Sequence, residues 1–492
     1  MTARYDVIVV GSGSGGGVVA SRLSEDPALR VLLLEAGPDP HDDVPDAIRY
    51  MRQGSGVEEY DWNYHDPQTR GGVPRGRIVG GSSATNATFA LRGQPQDYDA
   101  WAAMGAPSWS WEQCLPYFKR LETDREFGEL PYHGNSGPIR VEREPLNEFQ
   151  RYVRSACLEV GHADLDDLNR PGDVGVGPLP RNLKKRQRQS TLLTYVAAAR
   201  PRSNLTIRAD ALVDTILIRD GRATGVCLEG GETIEGATVV LAAGAYNSPQ
   251  ILHRTGVGPR DFLRDIGVDP VLVLPGVGEN LLDHVSTLVI VDAGQKAPGD
   301  FIPIGPTLKL RTESGLAVDD VKFTFTFGEI FAMPGLNGFY IEVSHCESQG
   351  VVRAVSRDPR AEPRIDHRYF SNPKDLDRMV GAAKAAFEVA KVLGDSVKCD
   401  LLLPDVETFG DEEALRNHFR DFHATDYHPS GTLRMGADGD EMAVLDDHCR
   451  LRGIENLYVA DASVMPTVPR ANINLPTMMI GERVAEFIRS EL

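Results

Sequence analysis

Apolar and glycine-rich segments alternate along the first 36 residues in the order of a βαβ unit. Within residues 6–10, positions 7–10 form the apolar run that a parallel strand needs when helices cover both of its faces. Small and apolar residues from Gly16 onward predict a helix, and Val31–Leu34 predicts a second buried strand that ends at Glu35. The pattern indicates the start of a nucleotide-binding sheet.

Shorter alternating segments follow between residues 204 and 244. Asp220 and Gly221 separate two strand-like runs and predict a hairpin turn. Residues 238–244 predict a buried strand that returns to the nucleotide-binding sheet. Ser248 and Pro249 predict the start of the next helix, as N-cap and first-turn proline, and Gly256 predicts its end.

The pattern then changes between residues 286 and 420, where strands over 322–327 and 338–343 mix with a helix over 376–393. These elements predict a separate sheet with helices on it. The C-terminal segment returns to a strand over 456–461 and to a helix that Pro476 opens. Nucleotide-type elements therefore lie at both ends and in the middle of the chain.

The fold class predicted from these elements is α/β plus α+β. A Rossmann-like nucleotide-binding domain carries an inserted antiparallel-sheet substrate-binding domain flanked by helices, and two domains suit a length of 492 residues. The predicted boundaries are 1–145, 196–285 and 424–492 for the discontinuous nucleotide-binding domain, and 146–195 and 286–423 for the substrate-binding domain.

Gly11, Gly13 and Gly16 match the spacing G-x-G-x-x-G directly after the first strand. The first two glycines allow a tight turn and the close approach of a pyrophosphate, and the third lets the helix pack on the sheet. Glu35 follows at the distance where an acid accepts hydrogen bonds from ribose hydroxyls. The pattern predicts a bound dinucleotide and leaves NAD and FAD open.

Composition narrows the class of partners. The net charge of −19 disfavours nucleic acid and anionic membranes. The six cysteines contain no C-x-x-C pair, which disfavours a disulfide scaffold and a redox dithiol. The first strand begins too early to leave room for a signal peptide, and no apolar run approaches 18 residues. We expect a cytoplasmic enzyme without a membrane span.

Four further segments extend the glycine pattern over almost the whole chain. They are residues 75–86, 244–259 and 275–284, and the pair 428–436 with 472–477. Together they closely resemble the glucose-methanol-choline (GMC) family of flavoprotein oxidoreductases. The resemblance implies FAD as the cofactor, and an alcohol or sugar as the small-molecule substrate.

The resemblance also implies a set of cofactor-binding residues. A histidine at the position of Thr85 can attach the flavin covalently in family members, so threonine here predicts non-covalent FAD. Two residues have plain alternatives: Val213 could simply pack in a core, and Asp461 could only cap the turn that follows it. The implied set is Gly11, Gly13, Ser14, Gly16, Glu35, Ala36, Arg77, Gly80, Gly81, Ser82, Asn86, Ala87, Val213, Ala243, Gly244, Asp461, Ala462, Asn474 and Thr477.

His428 and Asn472 match the catalytic pair of the family. Alcohol oxidation removes a hydride, which flavin N5 accepts, and a proton, which a protein group must accept or orient. Histidine has a suitable pKa for this, whereas an asparagine amide can only donate to the developing alkoxide. We therefore expect His428 to be the base and Asn472 the positioner.

Two neighbours of this pair have a less certain meaning. Asp426 departs from the neutral residue expected in well-known oxidases; it could face the flavin, but an ordinary loop aspartate is the favoured interpretation. His284 is expected to have a structural role beside the nucleotide. No spacing of histidine and carboxylate residues predicts a metal site.

Several alternatives stay open. A lyase resembling the hydroxynitrile lyases could use the same histidine without net redox turnover, and a nucleotide-binding protein without catalysis is a third class. The electron acceptor could be oxygen, a quinone or a redox partner, and the protein a monomer or homodimer. Five aromatic side chains could line an apolar pocket: Phe323, Phe325, Phe327, Phe331 and Tyr340. Alternation places Phe323, Phe325 and Phe327 on one face of a strand and favours core packing for these three.

Overall fold

The computed structural model describes residues 5–51, 57–69, 72–296, 303–313, 316–328 and 335–492. Its strands are β1 Tyr5–Val10, β2 Val31–Leu34, β3 Glu122–Asp124, β4 Ile139–Arg143, β5 Gly175–Gly177, β6 Pro180–Arg181, β7 Leu183–Lys184, β8 Gln187–Arg188, β9 Leu205–Arg208, β10 Val213–Arg219, β11 Arg222–Leu228, β12 Thr233–Leu241, β13 Val257–Gly258, β14 Leu272–Val273, β15 Val285–Asp292, β16 Thr307–Leu310, β17 Val321–Phe327, β18 Asn337–Val343, β19 Val351–Arg353, β20 Arg364–Asp366, β21 Asp400–Leu403, β22 Ala424–Thr425 and β23 Leu457–Val459.

The α-helices contain the predicted ones and several shorter ones. They are α1 Gly16–Leu23, α2 Asp46–Arg49, α3 Pro95–Ala103, α4 Trp111–Leu121, α5 Glu148–Glu159, α6 Ala197–Ala199, α7 Gly244–Thr255, α8 Arg260–Asp265, α9 Pro373–Ser396, α10 Val406–Gly410, α11 Glu412–Asp421 and α12 Asn474–Glu491.

The first sheet has the order β10-β11-β12-β1-β2-β9, with β23 paired to β12. β1 lies between β2 and β12 and is parallel to both, as its apolar residues 7–10 predict. The return of β12 to the nucleotide-binding sheet is confirmed. The hairpin between β10 and β11 is confirmed too, and Asp220 and Gly221 both have positive φ, as such a turn requires.

The predicted start of α7 is wrong. The helix begins at Gly244, not after Ser248, and the Ser248 hydroxyl instead donates to the Asp461 carboxylate at 2.6 Å. Pro249 therefore lies inside the helix, where it cannot donate to the Ala245 carbonyl. The Thr432 hydroxyl donates to that carbonyl at 2.7 Å, so a tertiary contact replaces the missing helical hydrogen bond.

The predicted end of α7 is confirmed, whereas the predicted start of α12 is shifted by two residues. Gly256 ends α7 in the left-handed conformation with φ of +91°, as predicted. α12 begins at Asn474, two residues before Pro476. Because the first turn of a helix needs no amide donors, the proline is tolerated there without opening the helix itself.

The second sheet is formed by β21-β15-β18-β17-β16-β5, with β22 paired to β15. Alternate side chains of β17 and β18 point to opposite faces. One face packs against α5 and α9 and buries Phe323, Phe325, Phe327 and Phe339, so the core packing expected of the first three is confirmed. Phe331 lies outside the described residues.

The opposite face of this sheet is polar and lies over the first sheet. Lys322, Thr324, Thr326, Tyr340 and Glu342 alternate with the buried phenylalanines and line a cavity between the two sheets. The predicted domain boundaries stay a prediction. Within the part of the chain that the structure describes, no helix is long and apolar enough to cross a membrane.

Candidate active site

The turn after β1 is shaped by close backbone contacts. A Cβ atom at Gly11 would lie 2.4 Å from the Ala242 carbonyl oxygen, and one at Gly16 would lie 2.0 Å from the Gly11 carbonyl oxygen. Gly15, which sequence reasoning missed, is equally close to the Ala460 carbonyl at 1.8 Å. These glycines allow the turn and α1 to pack against neighbouring strand ends.

Gly13 differs from its neighbours because its added Cβ would meet only the Cα atom of Gly81, at 3.9 Å. It faces the cavity, which contains about 2230 Å³ of empty space, its open mouth included. The predicted catalytic pair, His428 and Asn472, lines this cavity, and so do most of the predicted cofactor-binding residues. The lining members are Gly11, Gly13, Ser14, Glu35, Ala36, Gly81, Ser82, Asn86, Ala87, Val213, Ala243, Gly244, Asp461, Ala462, Asn474 and Thr477.

Three predicted cofactor residues do not line the cavity. Gly16 packs against the turn, as described above. Gly80 has a φ of +102° and donates its amide to the Ser12 hydroxyl at 3.0 Å. The Arg77 guanidinium lies over the Trp62 ring, 5.3 Å from its centroid. These residues support the wall rather than form it.

Two predicted acidic residues also bind the backbone around the cavity. Glu35 accepts from the Ser12 amide at 3.1 Å and hydroxyl at 2.6 Å, and burial raises the pKa of its carboxyl. Asp461 accepts from the amides of Gly244 at 2.9 Å and Ser463 at 2.8 Å. Asp461 therefore caps the following turn, as the plain alternative held, and it lines the cavity as well.

The start of α12 fits a large polar ligand. Asn474 accepts a hydrogen bond from the Ser14 hydroxyl at 2.8 Å, but its buried Nδ2 has no partner among the described residues. Buried amide donors are rarely left unpaired in folded proteins. The unmet donor, the open space at Gly13 and the volume of the cavity together fit a dinucleotide such as FAD.

The predicted catalytic pair, His428 and Asn472, meets in the same cavity. Asn472 Nδ2 lies 3.2 Å from His428 Nε2, and Lys322 Nζ lies 3.0 Å from Asn472 Oδ1. An ammonium group only donates, so Oδ1 must be the acceptor and Nδ2 the donor. His428 Nε2 therefore has no proton and presents its lone pair. Burial lowers the pKa of His428 well below its usual value, which keeps the ring neutral.

The backbone at His428 is held by a buried carboxylate. Asp283 accepts from the His428 amide at 2.7 Å, from the Thr425 hydroxyl at 2.5 Å and from the Tyr369 hydroxyl at 2.6 Å. Tyr427, the residue before the base, has a φ of +64°, an uncommon conformation for a non-glycine residue. The hydrogen bonds of Asp283 stabilise this turn and fix the position of the ring.

The interpretation of Asp426 as an ordinary loop aspartate is wrong. Its side chain is buried, accepts from the Tyr340 hydroxyl and has Oδ2 at 3.0 Å from His428 Nδ1. His284 also contacts the ring of His428 directly, because its Nδ1 lies 2.9 Å from Nδ1 of His428.

Sequence reasoning missed Lys322 and Glu342, which face His428 from β17 and β18, and it named Tyr340, which lines the cavity, only as a possible pocket aromatic. Lys322 Nζ lies 2.5 Å from Glu342 Oε1, and both side chains are buried. The available signal was the alternation of polar residues with phenylalanines along β17. It predicts a polar sheet face, but it does not tell which site that face covers.

Two groups of histidine and carboxylate side chains come together without any spacing signal. One contains His284, Glu342, Asp426 and His428, and the other contains Glu122, Asp124 and His133. Each already holds a cationic side chain: Lys322 lies at Glu342, and Arg143 lies 2.9 Å from Asp124. The absence of a metal stays a prediction.

Comparison with known proteins assigns this architecture. Family models described as GMC oxidoreductase match residues 5–286 and 346–481. An oxygen-dependent choline dehydrogenase of Stenotrophomonas maltophilia is 34% identical over 99% of this chain and 95% of its own length. A 5-(hydroxymethyl)furfural oxidase of Methylovorus is also 34% identical, over 99% of both chains.

A solved structure extends the similarity to three dimensions. The crystal structure of pyridoxine 4-oxidase from Mesorbium loti superimposes with a TM-score of 0.89 at 28% identity, and the match covers 99% of both chains. The similarity therefore includes both sheets and the cavity between them.

Proposed function

Because the chain belongs to the GMC family of FAD-dependent oxidoreductases acting on CH–OH donors, we propose that His428 is its catalytic base and Asn472 its positioner. The reaction is oxidation of an alcohol to an aldehyde or ketone. The observation that carries the assignment is the hydrogen bond between Asn472 and His428, whose direction Lys322 fixes.

The two side chains have different roles at the substrate oxygen. In this proposal the substrate hydroxyl displaces the Asn472 amide from the unprotonated Nε2 of His428, which then accepts the hydroxyl proton, and Nδ2 of Asn472 donates to the oxygen as negative charge develops on it. FAD, when bound, supplies the acceptor for the hydride that leaves the carbinol carbon. The low pKa of His428 keeps the base unprotonated at neutral pH, so it is ready before the alcohol binds.

FAD fits the cavity and is held without a covalent bond in this proposal. The glycine turn and the Asn474 amide offer hydrogen-bond donors, and the N-terminus of α12 favours negative charge beside it. Thr85 lines the same wall and cannot form the covalent attachment that a histidine forms.

We propose a neutral, polar alcohol or sugar as the substrate. The sheet face over the site presents Thr324 and Thr326 beside Lys322, which suits hydroxyl groups better than an apolar ring. Glu342 is paired with Lys322, so it offers no unpaired negative charge to a cationic substrate such as choline. Among the substrates named by the relatives, 5-(hydroxymethyl)furfural fits this description better.

A screen of alcohols tests the proposal. Purified holoenzyme is mixed with 5-(hydroxymethyl)furfural, choline, pyridoxine, aryl alcohols and sugars, and aldehyde or ketone formation is followed with oxygen and with an artificial electron acceptor. We expect turnover with neutral polar alcohols and a loss of about 10²–10³-fold in kcat for Asn472→Ala. Preference for choline over all neutral alcohols would refute the substrate proposal.

Oxygen is the proposed electron acceptor, because the similar proteins include oxygen-dependent and oxidase members. Faster turnover with a quinone than with oxygen in the same screen would contradict it. The cytoplasmic location and the choice between monomer and homodimer stay predictions.

A further inference from the structure

Two carboxyl groups lie together behind the base. Glu342 comes from β18 and Asp426 from the segment after β22, and both are buried. One carboxyl oxygen of each residue lies close to one ring nitrogen of His284 and one of His428. These four atoms are all within 4.8 Å of one another. Two negative charges at such a distance in a buried site repel strongly.

The hydrogen bonds in this cluster leave one oxygen of each carboxyl group without a donor. Asp426 Oδ1 accepts from Tyr340, and Glu342 Oε1 accepts from Lys322 and from the Ser344 hydroxyl at 3.1 Å. Asp426 Oδ2 and Glu342 Oε2 are buried without a hydrogen-bond partner among the described residues. The contact of Oδ2 with His428 Nδ1, at 3.0 Å, does not have hydrogen-bond geometry.

A proton on one carboxyl would supply the missing donor. Burial and the neighbouring Glu342 raise the pKa of Asp426 well above its usual value, whereas Lys322 helps to hold the pKa of Glu342 below its usual value. Asp426 is therefore the member that carries the proton, and Glu342 is the ionised member.

We propose that Asp426 is a neutral carboxylic acid that donates its proton in a hydrogen bond to Glu342, and that this pair is a positioning unit which keeps a single negative charge behind His428. With Asp426 neutral, the Nδ1 proton of His428 is donated to His284 Nδ1 at 2.9 Å. This arrangement agrees with the bare Nε2 that the Asn472 contact requires.

The single negative charge of the pair offsets the positive charges that face His428. Lys322 on β17 and Arg75, which lines the cavity, carry positive charges that disfavour a proton on His428, whereas the negative charge of Glu342 favours one. His284 and the phenol of Tyr340 complete the ring of titratable groups around the pair. Without the negative charge, His428 would be a weaker base for the alcohol proton.

The shared proton predicts non-additive variants. In Asp426→Asn, the amide replaces a neutral acid, so Glu342 keeps the charge. In Glu342→Gln, Asp426 ionises beside Lys322 and takes over the charge. Only the double variant removes it. We expect each single variant to change the pKa of His428 by less than about half a unit, and the double variant to lower it by about one unit or more.

Two measurements on the FAD-loaded enzyme test this. In the first, the histidines are labelled with ¹⁵N, and the NMR signal that is absent in His428→Asn is assigned to His428. The shift of that signal reports the tautomer and the pKa of the His428 ring. Infrared difference spectra between wild type and Asp426→Asn detect the carbonyl band of a protonated carboxyl, which shifts in D₂O. We expect that band in the wild type and its loss in both single variants.

Two results would overturn the proposal: a wild-type enzyme without the band, or single variants that each lower the pKa of His428 and add up in the double variant. If Asp426→Asn does not fold, the difference spectrum between wild type and Glu342→Gln makes the same test. The proposal rests on the proposed function only for the role of His428 as base. Neither readout needs turnover, so an inactive enzyme with the band would refute the function and leave the shared proton standing.

Discussion

Lys322 should be a stabilising residue as well as a fixed neighbour of Asn472. Its ammonium lies 2.5 Å from Glu342 Oε1, and the two residues are 2% and 1% exposed. At an effective dielectric constant of 20, this distance gives a gross attraction of about 7 kcal/mol, which the desolvation of two ions largely offsets. Lys322→Met would leave the Glu342 charge buried without its partner.

The expected cost of Lys322→Met is about 3–5 kcal/mol, because a buried charge that loses its partner is far less stable than a neutral pair. The double variant Lys322→Met/Glu342→Gln removes both charges and should recover most of this loss. Thermal unfolding at a fixed excess of FAD provides the assay, since bound cofactor shifts the midpoint by mass action. A loss of 3 kcal/mol corresponds to roughly 6–12 °C for a domain of about 150–250 residues.

The result that would refute this reasoning is equal destabilisation of the single and double variants. It would mean that Lys322 contributes through the packing of its chain and not through its charge. Retention of the wild-type midpoint by Lys322→Met would show that the pair is already neutral. In either case the assignment of Asn472 Nδ2 as donor would lose its support, because that assignment depends on the Lys322 ammonium.

Four other results are expected. His428→Ala should lower kcat by about 10²–10⁴-fold while the protein stays yellow, and full turnover would rule out its role as base. Because the pKa of His428 is lowered, kcat/KM should stay on its plateau as pH falls through 6.5, and a limb at or above 6.5 would contradict this. Acid precipitation should release FAD into the supernatant; flavin in the pellet would contradict the inference from Thr85. Gly13→Ala should fold but bind FAD more weakly, whereas Gly15→Ala should not fold, and equal behaviour of the two variants would refute the contacts at the turn.

The sequence predicted the elements whose cause is local. β1 is apolar over residues 7–10, where both of its faces are covered, and the hairpin at Asp220 and Gly221 requires residues that accept positive φ. The start of α7 could not be predicted in this way. The Ser248 hydroxyl, a suitable N-cap, is instead used by Asp461, more than 200 residues away.

The site shows the same division between local and long-range causes. The contact between His428 and Asn472 and most of the cavity lining were predictable, because the family resemblance carries these residues position by position. The cluster behind His428 was not, since His284 and His428 are separated by 144 residues and Lys322 and Glu342 lie on two other strands. Only pairing of β17 with β18 and docking of their polar face bring these charges to one ring.

Anaerobic mixing of the yellow holoenzyme with the best alcohol from the screen tests the central claim most directly. Flavin absorbance near 450 nm and product are measured together. Alcohol oxidation predicts that the absorbance is lost and that one aldehyde or ketone forms for each flavin, with both greatly slowed in His428→Ala. A flavin that stays oxidised while the substrate is consumed would contradict the account and indicate a lyase.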